Sequence, residues 1–219
     1  MKTGFIESHI ARGNRNLLLI GLTLTIIGGG LATVLNRWFP ALIAAPGVIA
    51  LGFWLSRVLN PPGHPLYKQL ARYGDPQVLA QQVNREFAGV KSSDTTHFGA
   101  GWLAQGDTYG LSLVPWFDIA WLHIYAKTQG GIRTTCYVRV WSRDGKQFVA
   151  PTGVRPGEAE QVLAELHEHA PWAETGYSPE LQQEWNKRRA QFVARVDEQK
   201  KLLRARVATK SPSGYSSNL

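Results

Sequence analysis

The chain carries a single cysteine, Cys136, in 219 residues. One cysteine excludes a disulfide within the chain and a zinc site built from several thiolates. Cys136 falls on the apolar face of an expected strand and reads as a small buried hydrophobe rather than a nucleophile. Familiar catalytic signatures are also missing. No Gly-x-Ser-x-Gly elbow occurs. The Gly-x-Gly of "GAGWLAQG" (99–106) lacks both a strand-to-helix setting and a following Lys-Ser/Thr, so it is no phosphate loop. His167 and His169 are two apart on an expected helix, so they do not face one another as i, i+4 metal ligands would, and they suit the dipole at that helix's C-terminal end. Nothing brings His97 to His123, or Asp94 to Asp118. The expectation is a protein that is not an enzyme, with no cofactor, no metal and no small-molecule substrate.

Basic charge is missing from the middle of the chain. Residues 1–60 hold five basic and one acidic group, 61–178 ten and eleven, and 179–219 nine and four. The net charge of +8 therefore lies in the flanks. A nucleic-acid-binding module would carry it on the folded domain, so no nucleic-acid partner is expected.

Charge of either sign is absent from "LLLIGLTLTIIGGGLATVL" (17–35) and from "WFPALIAAPGVIALGFWL" (38–55). Each run is about long enough to cross a hydrocarbon core. Trp38 and Trp54 lie near the ends of the second, where interfacial aromatics are favoured. Pro46 is tolerated in a membrane helix. A cleaved signal peptide would need a shorter apolar run and a small-residue cleavage site, and "LATVLNRWF" supplies a poor one. The pattern predicts a transmembrane hairpin over 17–59 with membrane lipid as its surroundings. Lys2, Arg12 and Arg15 precede it, Arg57, Lys68 and Arg72 follow it, and Arg37 alone sits between the spans. The positive-inside rule then places both termini in the cytoplasm of an inner (plasma) membrane protein, with 1–16 a cytoplasmic segment. Gly21 and "GGG" (28–30) suit either close packing within the hairpin or self-association.

"NPPGHP" (60–65) reads as a rigid linker to a cytoplasmic α+β domain over 66–178. A short helix at "PLYKQLARY" and one capped by Asp75-Pro76, with Leu79, Val83 and Phe87 as its stripe, come first. Period-two alternation then predicts strands near 94–104, 108–114, 117–128, 131–142 and 146–150, the last pair joined by Asp144-Gly145. Five strands with short connections predict a five-stranded antiparallel meander. A helix at 157–169 follows, with Ala159, Val162, Leu163 and Leu166 inward.

Two strands alternate between aliphatic and aromatic-basic faces. "DIAWLHIYAK" places Trp121, His123 and Tyr125 on one face, and "IRTTCYVRVW" places Arg133, Tyr137, Arg139 and Trp141 on one. These seven residues form either a face covered by the flanking helices or a recognition surface for a protein partner, since Tyr, Trp and Arg dominate interface hot spots.

Residues 179–208 predict a basic amphipathic helix, started by Ser178-Pro179, and 209–219 a disordered tail. Leu181, Trp185, Phe192, Val196, Leu203 and Val207 form its stripe. Lys187, Arg188, Arg195, Lys200, Lys201, Arg204 and Arg206 are candidate lipid contacts, and Arg189 interrupts the stripe. The helix docks on the domain, pairs with a second copy or lies on anionic lipid, where each basic residue contributes about 1 kcal/mol.

"HPLYKQLARYGDP" (64–76), "DIAW" (118–121), "RDGK" (143–146) and "APWAETGYSPE" (170–180) carry a resemblance to an uncharacterised family of small bacterial two-span membrane proteins with a cytoplasmic pleckstrin-homology-like domain. The resemblance implies a PH-like sheet closed by a helix and a protein-interaction role as adaptor or scaffold. Phosphoinositide-binding members of that fold use a basic first loop, whereas "AQGDTYG" (104–110) has no Lys or Arg. The alternative is a structural or stress-related protein that acts on the bilayer through its tail.

Overall fold

The computed structural model describes all residues except 1–3, 36–40, 61–62, 91–94, 108–109, 130–131, 153–155 and 211–219, and, within elements, the side chains of 41, 127–129, 132–134, 156 and 207–210. The expectations for Lys2, Arg37, Trp38, Asp94, the turn at 130–131, the Arg133 and Val207 side chains and the chain end after 210 lie outside the described residues. The chain forms two compact units, Met1–Leu113 and Val114–Leu219.

The first unit opens with helices α1 (Phe5–Leu35) and α2 (Ala41–Leu59). Both are long and apolar enough to cross a membrane. Their large side chains point outward, with Ile26 69% and Phe53 61% exposed, whereas a helix in a protein core would bury them. The two run antiparallel and meet through small residues. A Cβ on Gly28 would lie 2.4 Å from the backbone nitrogen of Ala44, and one on Gly21 2.8 Å from Leu51. Gly29 and Gly30 face open space. Of the two roles open to the glycines, Gly21 and Gly28 serve packing within the hairpin.

Helix α1 begins well before the apolar run. Its 31 residues span about 46 Å at 1.5 Å per residue, more than a hydrocarbon core. Phe5, Ile6 and His9 are buried, on the helical spacing of one stripe. Residues 1–16 thus contribute core as well as a flank. Phe5 stacks on Phe87 at 4.9 Å and, with Ile6, joins Leu66 and Leu70 of α3 (Pro65–Leu70), Val83 of α4 (Pro76–Glu86) and Trp102. Asp75 caps α4 by accepting from the Gln77 and Val78 amides, satisfying two orphan donors.

The expected single sheet is corrected to two, of three and four strands. In the three-stranded sheet β1 (Thr96–Phe98), β2 (Trp102–Asp107) and β3 (Gly110–Pro115) lie in that order. The expected strand 94–104 breaks at 99–101, where Glu86 accepts from the Gly101 and Trp102 amides at 2.8 and 3.1 Å. A 3-10 turn, Trp116–Asp118, ends β3 and interrupts the meander.

In the second unit β4 (Ile119–Gln129), β5 (Ile132–Ser142), β6 (Gln147–Pro151) and β7 (Glu174–Thr175) pair in the order β6-β5-β4-β7. The last contact is parallel, so the sheet is mixed. Helix α5 (Pro156–His169) packs on β4 and β5, and Leu122, Val138, Val140 and Leu166 are fully buried. The expected single terminal helix is two, α6 (Pro179–Lys187) and α7 (Arg189–Lys210), broken at Arg188. Ser178 caps α6 by accepting from the Leu181 amide at 3.2 Å.

Candidate functional site: the aromatic face of the second sheet

The β4–β5 register sets Trp121 opposite Trp141, His123 opposite Arg139 and Tyr125 opposite Tyr137. All six therefore share one face, as the alternation predicts. A bulge at Ala120, between Ile119 and Trp121, brings Ala120 into the same cluster as Trp121. Past a second irregularity at Lys127/Thr128, Arg133 pairs with Thr128.

The face divides. At its base Trp121 is fully buried beneath Trp185 of α6 at 5.9 Å and Phe192 of α7 at 5.8 Å. Trp185 also packs on Trp141 at 5.7 Å. The Trp121 indole donates to the Gly176 carbonyl at 2.8 Å, which satisfies its polar edge inside the cluster. Gly176 adopts φ +89°, a backbone state that favours glycine, and its amide returns a bond to the Leu122 carbonyl. The stripe expected on the tail is therefore spent, at Trp185, Phe192 and Val196, on this chain's own sheet.

Much of the tail's charge is committed in the same way. Arg195 donates to both oxygens of Glu184 at 2.7 and 2.9 Å. Arg143 pairs with Asp197, Lys201 with Glu198 at 2.7 Å, and Arg189 donates to the Asp144 carbonyl at 3.2 Å. Lys200 donates to the Phe117 carbonyl at 2.9 Å and lies 4.5 Å over Trp172. Burial lowers the Lys200 pKa, with the Arg204 and Arg143 charges adding to it. Lys187, Arg188, Arg204 and Arg206 are exposed.

Midway along the face sits His123, with no exposed surface. It packs on Trp121 at 4.4 Å and on Tyr177 at 5.5 Å. Neither ring nitrogen has a hydrogen-bond partner among the described residues. Burial first, and then the Arg139 guanidinium, push its pKa down to about 4, so the ring is neutral at pH 7.

At the far end the face is half-exposed. Tyr125 and Tyr137 pack at 5.0 Å, and the Arg139 guanidinium lies 3.8 Å above the Tyr125 ring. This is a cation held on two aromatic rings. Arg139 also donates to the Tyr137 hydroxyl at 3.4 Å. Its Nε has no partner among the described residues.

Sequence reasoning found the face but missed its lid. Tyr177 carried no signal beyond its place before the Ser178-Pro179 helix start. Trp185 and Phe192 showed as a stripe whose target the sequence did not name.

The molecule is thus an α+β protein with two apolar helices fit to cross a membrane. Residues 64–184 match the family described as Domain of unknown function (DUF6709), and the chain belongs to that family. The matched residues run from the cap of α3 into α6, so α1, α2 and α7 lie outside them. No curated protein and no solved structure matches the chain.

Proposed function

We propose that this chain is a membrane-anchored binding module whose partner surface is the open end of the aromatic face: Tyr125, Tyr137 and Arg139. The hairpin holds it in an inner membrane with both termini cytoplasmic, a placement supported by Arg12, Arg15, Arg57 and Lys68 on one side of the spans. One observation carries the reading. The guanidinium is fixed on Tyr125 at 3.8 Å on a half-exposed surface that the tail helices leave open. A preorganised Arg–Tyr cluster loses little side-chain entropy on binding, which suits a hot spot. The occupant is a protein partner presenting a carboxylate to Arg139, the charge complement of a guanidinium. The reading assigns no catalytic chemistry to the chain.

Co-purification from native membranes in mild detergent tests this, comparing the natural chain with Tyr125→Ala/Arg139→Ala. The expected result is a stoichiometric partner lost from a variant that melts as the natural chain does. A partner retained by that variant overturns the reading.

A further inference from the structure

The basic end of the hairpin holds a cavity that the proposal above does not use. Residues 16–35 of α1 and 41–56 of α2 carry no charge, so Arg15 and Arg57 are the first charges met on leaving the apolar zone. Beside them Ile10, Asn14, Arg57, Val58, His64 and Tyr67 line a cavity of about 340 Å³. A second, lined by Ser8, Ala11, Arg12 and Arg15, shares Ala11 with the first.

The wall is amphipathic. Ile10, Val58 and the Tyr67 ring are apolar, whereas Arg57 is a half-buried cation. His64 is buried and its Nδ1 accepts from the Leu66 amide at 3.2 Å, which leaves the ring proton on Nε2 as a donor. The Asn14 Oδ1 is buried without a donor among the described residues, and such acceptors are normally satisfied. Glu7 also lines the cavity, but its carboxylate accepts from Asn84 Nδ2 at 2.9 and 3.1 Å. Three arginines against one glutamate leave the paired cavities at +2. A half-buried arginine, a hydroxyl acceptor and an aliphatic wall, at the depth where a span meets water, match one ligand class.

We propose that this pocket binds the headgroup of an anionic glycerophospholipid. Its phosphate lies on Arg57 and His64 Nε2, its headgroup hydroxyl on Asn14, and its glycerol backbone against Ile10, Val58 and Tyr67. The assignment rests on α1 and α2 being membrane spans.

The test is native mass spectrometry of the delipidated full-length chain in micelles, titrated with phosphatidylglycerol, with phosphatidylcholine of matched chains, and with inorganic phosphate. The expected result is one phosphatidylglycerol per chain, bound about tenfold more tightly than phosphatidylcholine. Arg57→Gln should weaken it by about tenfold and Arg57→Lys by much less. Arg204→Gln, on α7, should leave it unchanged. Should Arg57→Gln fail to fold, Asn14→Ala carries the test, with a loss of about threefold. Equal binding of the two lipids, unchanged affinity in Arg57→Gln or Asn14→Ala, or displacement by millimolar phosphate overturns the assignment. Alkaline carbonate extraction of native membranes separates the two failures. Release of the chain refutes the spans and this site with them, whereas a chain that stays in the membrane without lipid preference refutes the site alone.

Discussion

The two ends of one sheet face meet different fates. At the base Trp121 is fully buried under Trp185 and Phe192, and the half-buried Trp141 packs on Trp185. Further along the same face, Tyr125, Tyr137 and Arg139 are half-exposed and lie away from those two rings. Nothing in the alternation of β4 and β5 separates these halves, because both present large aromatic side chains with the same period. What separates them is the break at Arg188, which seats Trp185 and Phe192 on the base alone. An aromatic face therefore announces only that it needs covering, and the length and bend of a distant helix decide how much of it is covered.

The largest expected effect sharpens that contrast. Trp185→Ala should destabilise the second unit by about 3–5 kcal/mol, whereas Tyr137→Ala should cost under about 1 kcal/mol, both read from denaturant unfolding in micelles. Equal losses would erase the distinction between the halves.

Protonation of His123 gives the next. The unfolded chain binds this proton near pH 6.5 and the folded chain only near about 4. The unfolded state therefore holds more protons between those values, and stability present above pH 6.5 is lost as pH falls through the window. The loss over the whole window should be roughly 3 kcal/mol, and His123→Leu should flatten it. His64, held at about 4 by burial and by Arg57, adds its own slope to the first unit, and His123→Leu leaves that slope intact.

A smaller contrast lies in the hairpin. Gly28→Leu drives a side chain into the Ala44 backbone and should cost about 1–3 kcal/mol of thermal stability in micelles. Gly29→Leu, facing open space, should change it little. Similar melting of the two variants would contradict the packing described for α1 and α2.

Local chemistry was legible wherever it decided the structure. The uncharged runs, the Asp75-Pro76 and Ser178-Pro179 helix starts, the Asp144-Gly145 turn and the facing of Trp121, Tyr125, Tyr137 and Arg139 all follow from neighbouring residues. Misreadings arose where a distant partner decides. Phe5, Ile6 and His9 are spaced for burial, but the arginines after them read as a membrane flank, and their partners Phe87 and Leu66 lie far along the chain. The split at 99–101 depends on Glu86 capping the Gly101 amide. Strand β7 is two residues long and exists only because β4 is there to receive it. The cavity at Arg57 escaped notice for the same reason, since three segments converge to form it.

Cysteine accessibility tests the divided face most directly. The natural Cys136 is 1% exposed and serves as the unreactive background. Ala120, in the cluster under Trp185 and Phe192, and Tyr125, at the open end, are each changed singly to cysteine, Ala120→Cys and Tyr125→Cys. Maleimide labelling of the full chain in its membrane should be rapid for Tyr125→Cys. For Ala120→Cys it should stay at background until Phe192→Ala loosens the lid. Equal, rapid labelling of both in the intact chain would mean that the tail helices do not cover the base of the face, contradicting its division.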